Sequence, residues 1–240
     1  MTIALLSDIH GNLEAFERVL DDVQRMNPRR VLYLGDAVSY GPEPDASVRL
    51  LAQEGIPCIL GNHELALVQS SAKQYFNEPT RKHFAQTEAL LSEEARAFVA
   101  TWPELRREEG MLLVHGCPPD SILTYLFELE DEDLYGILRE MEDSIAFVGH
   151  THELGLVELR GEELERRKIG QGRYRLGSEK ALVNVGSVGQ PRDGDNRAKY
   201  VLYDPSAGEV EVRCVAYDID KTIRKILDLG FPEFYANRLR

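Results

Sequence analysis

An α/β fold is predicted by three features of the chain. Apolar runs of strand character alternate with amphipathic stretches of helical period over residues 1–60. The runs are spaced as parallel strands joined by right-handed crossovers require. Past residue 155 the texture turns to short strands separated by Gly, Asp and Pro turns, the mark of a more antiparallel sheet. No Pro/Ser-rich linker divides the two textures, so residues 1–240 are expected to form a single domain with two sheets, one per half.

The elements follow in order. "TIALLS" (2–7) reads as a strand, and "NLEAFERVLDDVQRM" (12–26) as a helix with Leu13, Phe16, Val19, Leu20 and Val23 on one face. "RVLYLGD" (30–36) is a second strand, "DASVRLLAQEG" (45–55) a second helix stopped by Gly55, and "IPCILGN" (56–62) a third strand. Residues 64–104 read as a mostly helical, cap-like segment broken near "NEP" (77–79). "MLLVHG" (111–116) and "SIAFVGH" (144–150) are strands on either side of a helix, "ELEDEDLYGILREM" (128–141). "LGLVELR" (154–160), "ALVNVGS" (181–187), "AKYVLYD" (198–204) and "EVEVRCVAY" (209–217) complete the strands, with Gly208 at a hairpin, and residues 218–240 read as two short helices.

The bulk composition narrows the function. Hydrophobic residues make up 43% and charged residues 29%, as in a globular chain. "MTIALLSDIHG" has no basic region, and its apolar run is too short for a signal peptide or a membrane span. Cys58, Cys117 and Cys214 are widely spaced and odd in number, which argues for a reducing cytoplasmic setting over a disulfide framework. A formal charge of −13 disfavours a nucleic-acid polymer as partner, and nothing points to a membrane. A small anionic substrate stays open, because bound metal ions reverse the local potential. A homo-oligomer is compatible with the sequence and not specified by it.

Each apolar run in the first 152 residues ends in polar groups of one kind. Asp8 and His10 follow the first, Asp36 the second, Asn62 and His63 the third, His115 the fourth, and His150 and His152 the fifth; of 6 histidines only His83 lies elsewhere. Open α/β sheets bind ligands at the carboxyl ends of their strands. Each residue also has an ordinary reading: Asn62 as a helix cap, Asp8 or Asp36 as a cap or turn residue, the histidines as loop groups. Buried strand ends rarely gather so many ionisable groups without pairing them or binding a metal. Imidazole and carboxylate without thiolate suit divalent ions such as Mn, Fe, Ni or Zn, and the donors are too many for one ion. A single Asp bridging two ions roughly 3.5–4 Å apart uses them all and makes a clamp for in-line displacement at phosphorus.

The blocks D-x-H (Asp8, His10), G-D (Gly35, Asp36), G-N-H-E (Gly61 to Glu64), H-G (His115, Gly116) and G-H-T-H (Gly149 to His152) together resemble the calcineurin-like metallophosphoesterases. They stand in that family's order, and the resemblance points to the bacterial and archaeal branch similar to the YfcE-type phosphodiesterases. "GDAVSYGPEPDA" and "NVGSVGQPRDGDNRA" further resemble a subgroup of it, and some relatives hydrolyse diadenosine polyphosphates. The resemblance implies a four-layer α/β/β/α sandwich of two mixed sheets with flanking helices and a dinuclear site at one edge of the sheets. It implies that Asp8, His10 and His152 hold one divalent ion, that Asn62, His115 and His150 hold the other, and that Asp36 bridges them. Manganese is the first expectation, with Fe, Ni, Co or Zn as alternatives. The implied activity is attack by a metal-generated hydroxide on a small phosphodiester or nucleotide, with a dinucleoside polyphosphate as the alternative substrate.

His63 is expected to be catalytic and not a ligand, because neighbouring side chains at a strand end point in different directions. It would face the phosphate as hydrogen-bond or proton donor, with an ordinary imidazole pKa of about 6.5 and a carboxylate such as Asp8 to orient it. A non-catalytic scaffold of this fold, such as the retromer subunit, lacks the His of G-N-H, which this chain keeps. Phosphoprotein phosphatases carry an Arg where "GDAVSYG" has Tyr40. Val185 replaces the Pro of the N-P-G-S block common in relatives, and Cys117 is expected to be a buried, inert thiol. Asn12 and Arg192 are candidates for substrate contact. Arg192 would clamp a phosphate or, alternatively, pair with Asp193 or Asp195 in its loop. The segment 69–110 offers Lys73, Arg81, Lys82 and His83 as further candidates.

Overall fold

The computed structural model describes residues 1–177 and 179–240. Its strands are β1 (Ile3–Leu6), β2 (Arg30–Tyr33), β3 (Leu105–Glu108), β4 (Met111–Val114), β5 (Ile145–Val148), β6 (Leu154–Arg160), β7 (Glu163–Lys168), β8 (Gly172–Arg175), β9 (Ala181–Val185), β10 (Ala198–Asp204) and β11 (Glu209–Val215). The helices are α1 (Leu13–Met26), α2 (Pro44–Gln53), α3 (Asn62–Val68), α4 (Glu78–Ala89), α5 (Glu93–Val99), α6 (Asp131–Glu140), α7 (Ile219–Asp228) and α8 (Glu233–Asn237). Short 3-10 turns cover Ser70–Tyr75 and Leu126–Glu128.

One sheet runs β2-β1-β10-β11-β8 and the other β3-β4-β5-β9-β6-β7. The expected assignment of one sheet to each half of the chain is therefore corrected. The parallel pair β1–β2 is extended by the antiparallel hairpin β10–β11, while β4, β5 and β9 run parallel in the second sheet. The reason is burial: β10 is buried on both faces and fills a central place between β1 and β11.

Side chains sort between the layers with the period of two that a pleated strand imposes. Ile3 and Leu5 of β1 join Leu113, Phe147 and Val183 in the core between the sheets. Ala4 and Leu6 face the other way, onto Phe16, Val19 and Val23 of α1. Leu134 and Leu138 of α6 cover Leu112, Ala146 and Val148 on the far side of the second sheet. The result is helix, sheet, sheet, helix.

The run 56–62 forms no full strand. It makes one bridge, Cys58 to Tyr33, with Tyr33 N–H on the Pro57 carbonyl (3.0 Å) and Ile59 N–H on the Tyr33 carbonyl (3.0 Å). Pro57 has no N–H to extend a ladder, and Leu60 N–H turns to the Pro103 carbonyl (2.8 Å). Three strands gave no apolar signal: β3 "LRRE", β7 "ELERRK" and β8 "GRYR". They stand at sheet edges, where charged side chains block further pairing. Helices α3, α4 and α5 lie within residues 62–99. Asn77 caps α4 by accepting from Thr80 N–H, and Ser92 caps α5 while donating to Asp45 of α2.

Candidate metal centre

The chain leaves its central strands through left-handed turns. Asp8, His10, Asp36, His150 and His152 have φ of 56°, 48°, 63°, 67° and 62°. Non-glycine residues seldom adopt this region, at a cost of order 1–3 kcal/mol each, and they hold it only where the surroundings over-determine it. Here they do. Asp8 N–H donates to the Gly35 carbonyl, His10 N–H to the Asp36 carbonyl and Gly149 N–H to the His115 carbonyl, each at 2.9 Å. A Cβ on Gly149 would lie 2.0 Å from Ser7 Oγ, and one on Gly61 would lie 2.1 Å from Asp36 Oδ1, so only glycine allows these loops to meet. The buried carboxylate of Glu64 gathers the turn after β2. It accepts from the N–H groups of Asp36 (2.6 Å), Ala37 (2.8 Å), Val38 (3.1 Å) and Gly61 (3.0 Å).

These turns aim the donor atoms at one another. His10, His115 and His152 each use Nδ1 on a backbone carbonyl, of Val38 (2.9 Å), Leu34 (2.7 Å) and Gln190 (2.7 Å), which leaves Nε2 to point inward. His150 is turned the other way, with Nε2 on the Leu123 carbonyl at 3.1 Å. His10 Nε2 and His152 Nε2 face each other at 3.1 Å, two lone pairs with no proton between them unless an imidazole ionises. Asp8 Oδ1, Asn62 Oδ1 and His115 Nε2 are buried without a hydrogen-bond partner. Buried polar atoms are nearly always paired, so this cluster has the form of a cation's coordination shell. Each carboxylate braces backbone with one oxygen and offers the other: Asp8 Oδ2 accepts from His150 N–H, and Asp36 Oδ1 from His63 N–H. Two triads can each close on an ion, Asp8–His10–His152 and Asp36–His115–His150, and a third set joins Asp36 to His10 and His63. Asp36 Oδ2 stands among them, 3.2 Å from His115, 3.7 Å from His10 and 3.9 Å from His63.

Sequence comparison decides the family at this point, because the profile of the calcineurin-like phosphoesterase superfamily domain matches residues 1–208. The chain belongs to that superfamily. An uncharacterized protein of Methanocaldococcus jannaschii is 31% identical over 243 residues, covering 99% of this chain and 96% of that one. A metallophosphoesterase from Sphaerobacter thermophilus superposes with a TM-score of 0.87 at 30% identity, covering 100% of this chain and 98% of the other. A symmetrical bis(5'-nucleosyl)-tetraphosphatase of Acidovorax is 29% identical over 181 residues, which span 67% of this chain and 61% of that enzyme. The protein is a metal-dependent phosphoesterase with the four-layer fold of its superfamily.

The protonation states of this phosphoesterase suit its ligands. Burial would raise the carboxyl of Asp8, but His152 and His10 hold it well below the ordinary range. Burial acts likewise on Asp36 and is outweighed by His115 and His63. Burial, then His115, pushes His150 down to about 3, and burial with Arg192 pushes His152 down to about 4. His115 moves the other way: burial opposes its charge, but Asp36 takes it up to about 9. An ion held by His115 and Asp36 would displace the His115 proton, since metal binding releases protons from its ligands.

Other expectations meet mixed ends. Asn12 is spent on structure: its side chain caps α1 through Ala15 N–H, donates to the Gly189 carbonyl (2.8 Å) and accepts from Thr222. Arg192 is free of its loop acids, because Lys199 takes Asp193 and Arg197 takes Asp195. Among the described residues its one side-chain partner is Gln190 Oε1 at 3.0 Å. Cys117 is buried, and burial pushes its thiol up to about 12, which fits an inert role. His83 lies on α4 against Gln86. Tyr40, where an Arg was the alternative, meets the His10 ring at a tilt of 50° with centroids 4.6 Å apart. Sequence reasoning missed Tyr125, which lies flat on His150 at 3.7 Å and 17° and which no local pattern announces. Ser187, the last residue of the block in which Val185 replaces Pro, donates its hydroxyl to the Asp8 carbonyl.

Proposed function

We propose that this phosphoesterase hydrolyses a small nucleotide-type ester or anhydride of phosphate at a dinuclear site. The carrying observation is Asp36 Oδ2, which faces His115 and His10 at 3.2 and 3.7 Å, one from each triad. In this reading Asp8, His10 and His152 hold one ion, Asn62, His115 and His150 the other, and Asp36 joins them. Asn62 earns its place by a buried Oδ1 that has no protein partner. Manganese, among borderline divalent ions, suits this mix of imidazole and carboxylate. When bound, two such ions would supply charge neutralisation for the transferred phosphoryl group and an activated water. The chain's own residues do the rest. Glu64 and the left-handed turns keep the donors in register, Arg192 engages the substrate's phosphate, and His63 donates a hydrogen bond toward it.

Helix α4 and the turn before it wall this site, since Phe76 stacks on His63, Phe84 packs beside Phe76 and Thr80 meets Tyr40. We assign them substrate selection. The free thiols Cys58, Cys117 and Cys214 support a reducing compartment, the cytoplasm. No helix of the described residues is long and apolar enough to cross a membrane.

The test is elemental analysis beside turnover. Chelated protein should be inactive and regain activity with Mn(II), with two ions per chain. Asp36→Asn should lose at least one ion and more than about 10²-fold in turnover. Two ions still bound at near-normal rate would remove Asp36 from the bridging position.

A further inference from the structure

Strand β10 carries a lysine where its pleat calls for an apolar residue. Lys199 alternates with Val201 and Tyr203 of the core between the sheets, and only 1% of its side chain is exposed. Lysine is almost never buried to this extent unless its charge is paired. Its ammonium donates to Asp193 Oδ1 at 2.6 Å and to the Asp195 carbonyl. Both acceptors belong to the loop between β9 and β10, which also carries Arg192. Lys199 N–H donates to the Ser187 carbonyl at 3.0 Å, so this one residue meets the loop at its start and near its end.

The loop is built against the metal centre. Ser187 Oγ donates to the Asp8 carbonyl and accepts from Gln190 N–H, both at 2.8 Å. The Gln190 carbonyl meets His152 Nδ1 at 2.7 Å, and Arg192 N–H donates to the His152 carbonyl at 3.1 Å. Arg192 Nε is buried without a hydrogen-bond partner, although Asp193 is the next residue in the chain. Asp195 is held by Arg197, whose Nε donates to Oδ2 at 3.0 Å. Each acid of the loop thus has a cation of its own, and Arg192 is left with neither. A buried ion pair is a poor way to gain stability, because two apolar side chains of similar volume often do as well or better. What Lys199 supplies is a place for the Asp193 charge away from Arg192. Without it the carboxylate has a guanidinium one residue away, and a carboxylate there competes with phosphate for the same donors.

We propose that Lys199 is a positioning residue for the phosphoesterase reaction: by engaging Asp193 in the core, it keeps Arg192 open to the substrate's phosphate. This rests on the reading above in which Arg192 engages that phosphate. Lys199 touches neither substrate nor ion and acts only through the loop acid.

The experiment titrates inorganic phosphate calorimetrically into Mn-loaded protein. Lys199→Met should weaken phosphate about tenfold, with bound manganese at the wild-type level. KM for bis(p-nitrophenyl) phosphate should rise by a similar factor with kcat nearly unchanged, the mark of lost uniform binding. Lys199→Met/Asp193→Leu, which removes the acid together with the lysine, should return both values to the wild-type range. Arg192→Met should itself weaken phosphate about tenfold, and adding Lys199→Met to it should change nothing further, as a double-mutant cycle requires of residues that act through one another. A Lys199→Met/Asp193→Leu protein as weak as Lys199→Met, or a loss that persists in the Arg192→Met background, would make the lysine a shaper of the loop and overturn the proposal. Should Lys199→Met fail to fold, Lys199→Gln, which keeps a donor for the Asp195 carbonyl, carries the same expectations. If neither folds while Lys199→Met/Asp193→Leu does, the pair is structural and the proposal falls. Phosphate bound normally by Arg192→Met would overturn both the proposal and the reading of Arg192. A wild type that hydrolyses no ester with any metal would defeat the proposed function, while the phosphate titration still decides the role of Lys199.

Discussion

His63 lies flat against Phe76, with ring centroids 4.7 Å apart, and edge-on to Tyr40 and His10. Its Nδ1 is buried without a partner, and its Nε2 is 3.9 Å from Asp36 Oδ2. The neighbouring carboxylate is thus Asp36, where Asp8 was the one named from sequence. Burial pushes the imidazole down to about 3, so the expectation of an ordinary titration near neutrality is corrected. A neutral ring still has one N–H to give to a phosphate oxygen or a leaving alkoxide. His63→Ala should therefore slow an alkyl phosphodiester by about 10²–10⁴-fold and an aryl diester, whose leaving group needs little help, by much less. Bound metal, counted on the same samples, should stay at the wild-type level. Loss of an ion would make His63 a ligand, as its place beside His10 and Asp36 permits. The residue types of this site were legible because Asp, Asn and His at strand ends have few structural uses. The left-handed φ angles and the four backbone donors on Glu64 were not, since both depend on loops that meet only after folding.

Helix α1 shows what periodicity can and cannot deliver. Its face of Phe16, Val19 and Val23 was plain in the sequence and packs as expected. Asp22 is buried on the same helix, and nothing in the local sequence marks it out. Its partner Arg213 is 191 residues away, on β11, and donates to both carboxylate oxygens at 3.1 and 3.2 Å, while Tyr200 of β10 donates at 2.8 Å. The same non-locality hid the sheets: nothing in "TIALLS" says that β10 will lie beside it. Burial raises the carboxyl of Asp22, but the bonds from Arg213, Tyr200 and Arg25 prevail and hold it below its ordinary value. A carboxyl depressed by folding stabilises fully above its unfolded pKa, and this is lost as pH falls through the folded value. Asp22→Asn should cost about 2–4 kcal/mol at neutral pH, by urea unfolding. Below about pH 4 the gap to wild type should shrink, because the wild type then loses its own ion pair. A gap constant over that range would assign the effect to shape and not to charge.

Across the whole molecule, positive potential is concentrated where chemistry needs it and scarce elsewhere. The net charge is −13, and arginines of the edge strands are largely paired, as Arg167 is with Glu158 and Arg173 with Glu211. Arg192, whose N–H donates to the His152 carbonyl beside the metal centre, has no such acid partner among the described residues. A small phosphorylated molecule meets only this local field, because opposing surface charge is screened beyond roughly 10 Å at 0.1 M salt. A long nucleic acid cannot avoid the acidic flanks. Proteins that bind polymers through basic faces lose affinity as salt rises, through counterion release. This one should show the reverse sign: kcat/KM on a long single-stranded oligonucleotide should be low at about 25 mM salt and hold or rise toward about 250 mM. On a dinucleotide or a nucleoside polyphosphate it should be higher throughout and fall modestly, as the local positive field at the site is screened. Initial rates for both substrates across that salt series check the prediction. Efficient polymer hydrolysis that weakens steeply with salt would mean that a cationic track crosses the surface and that the electrostatic reading of the whole molecule is wrong.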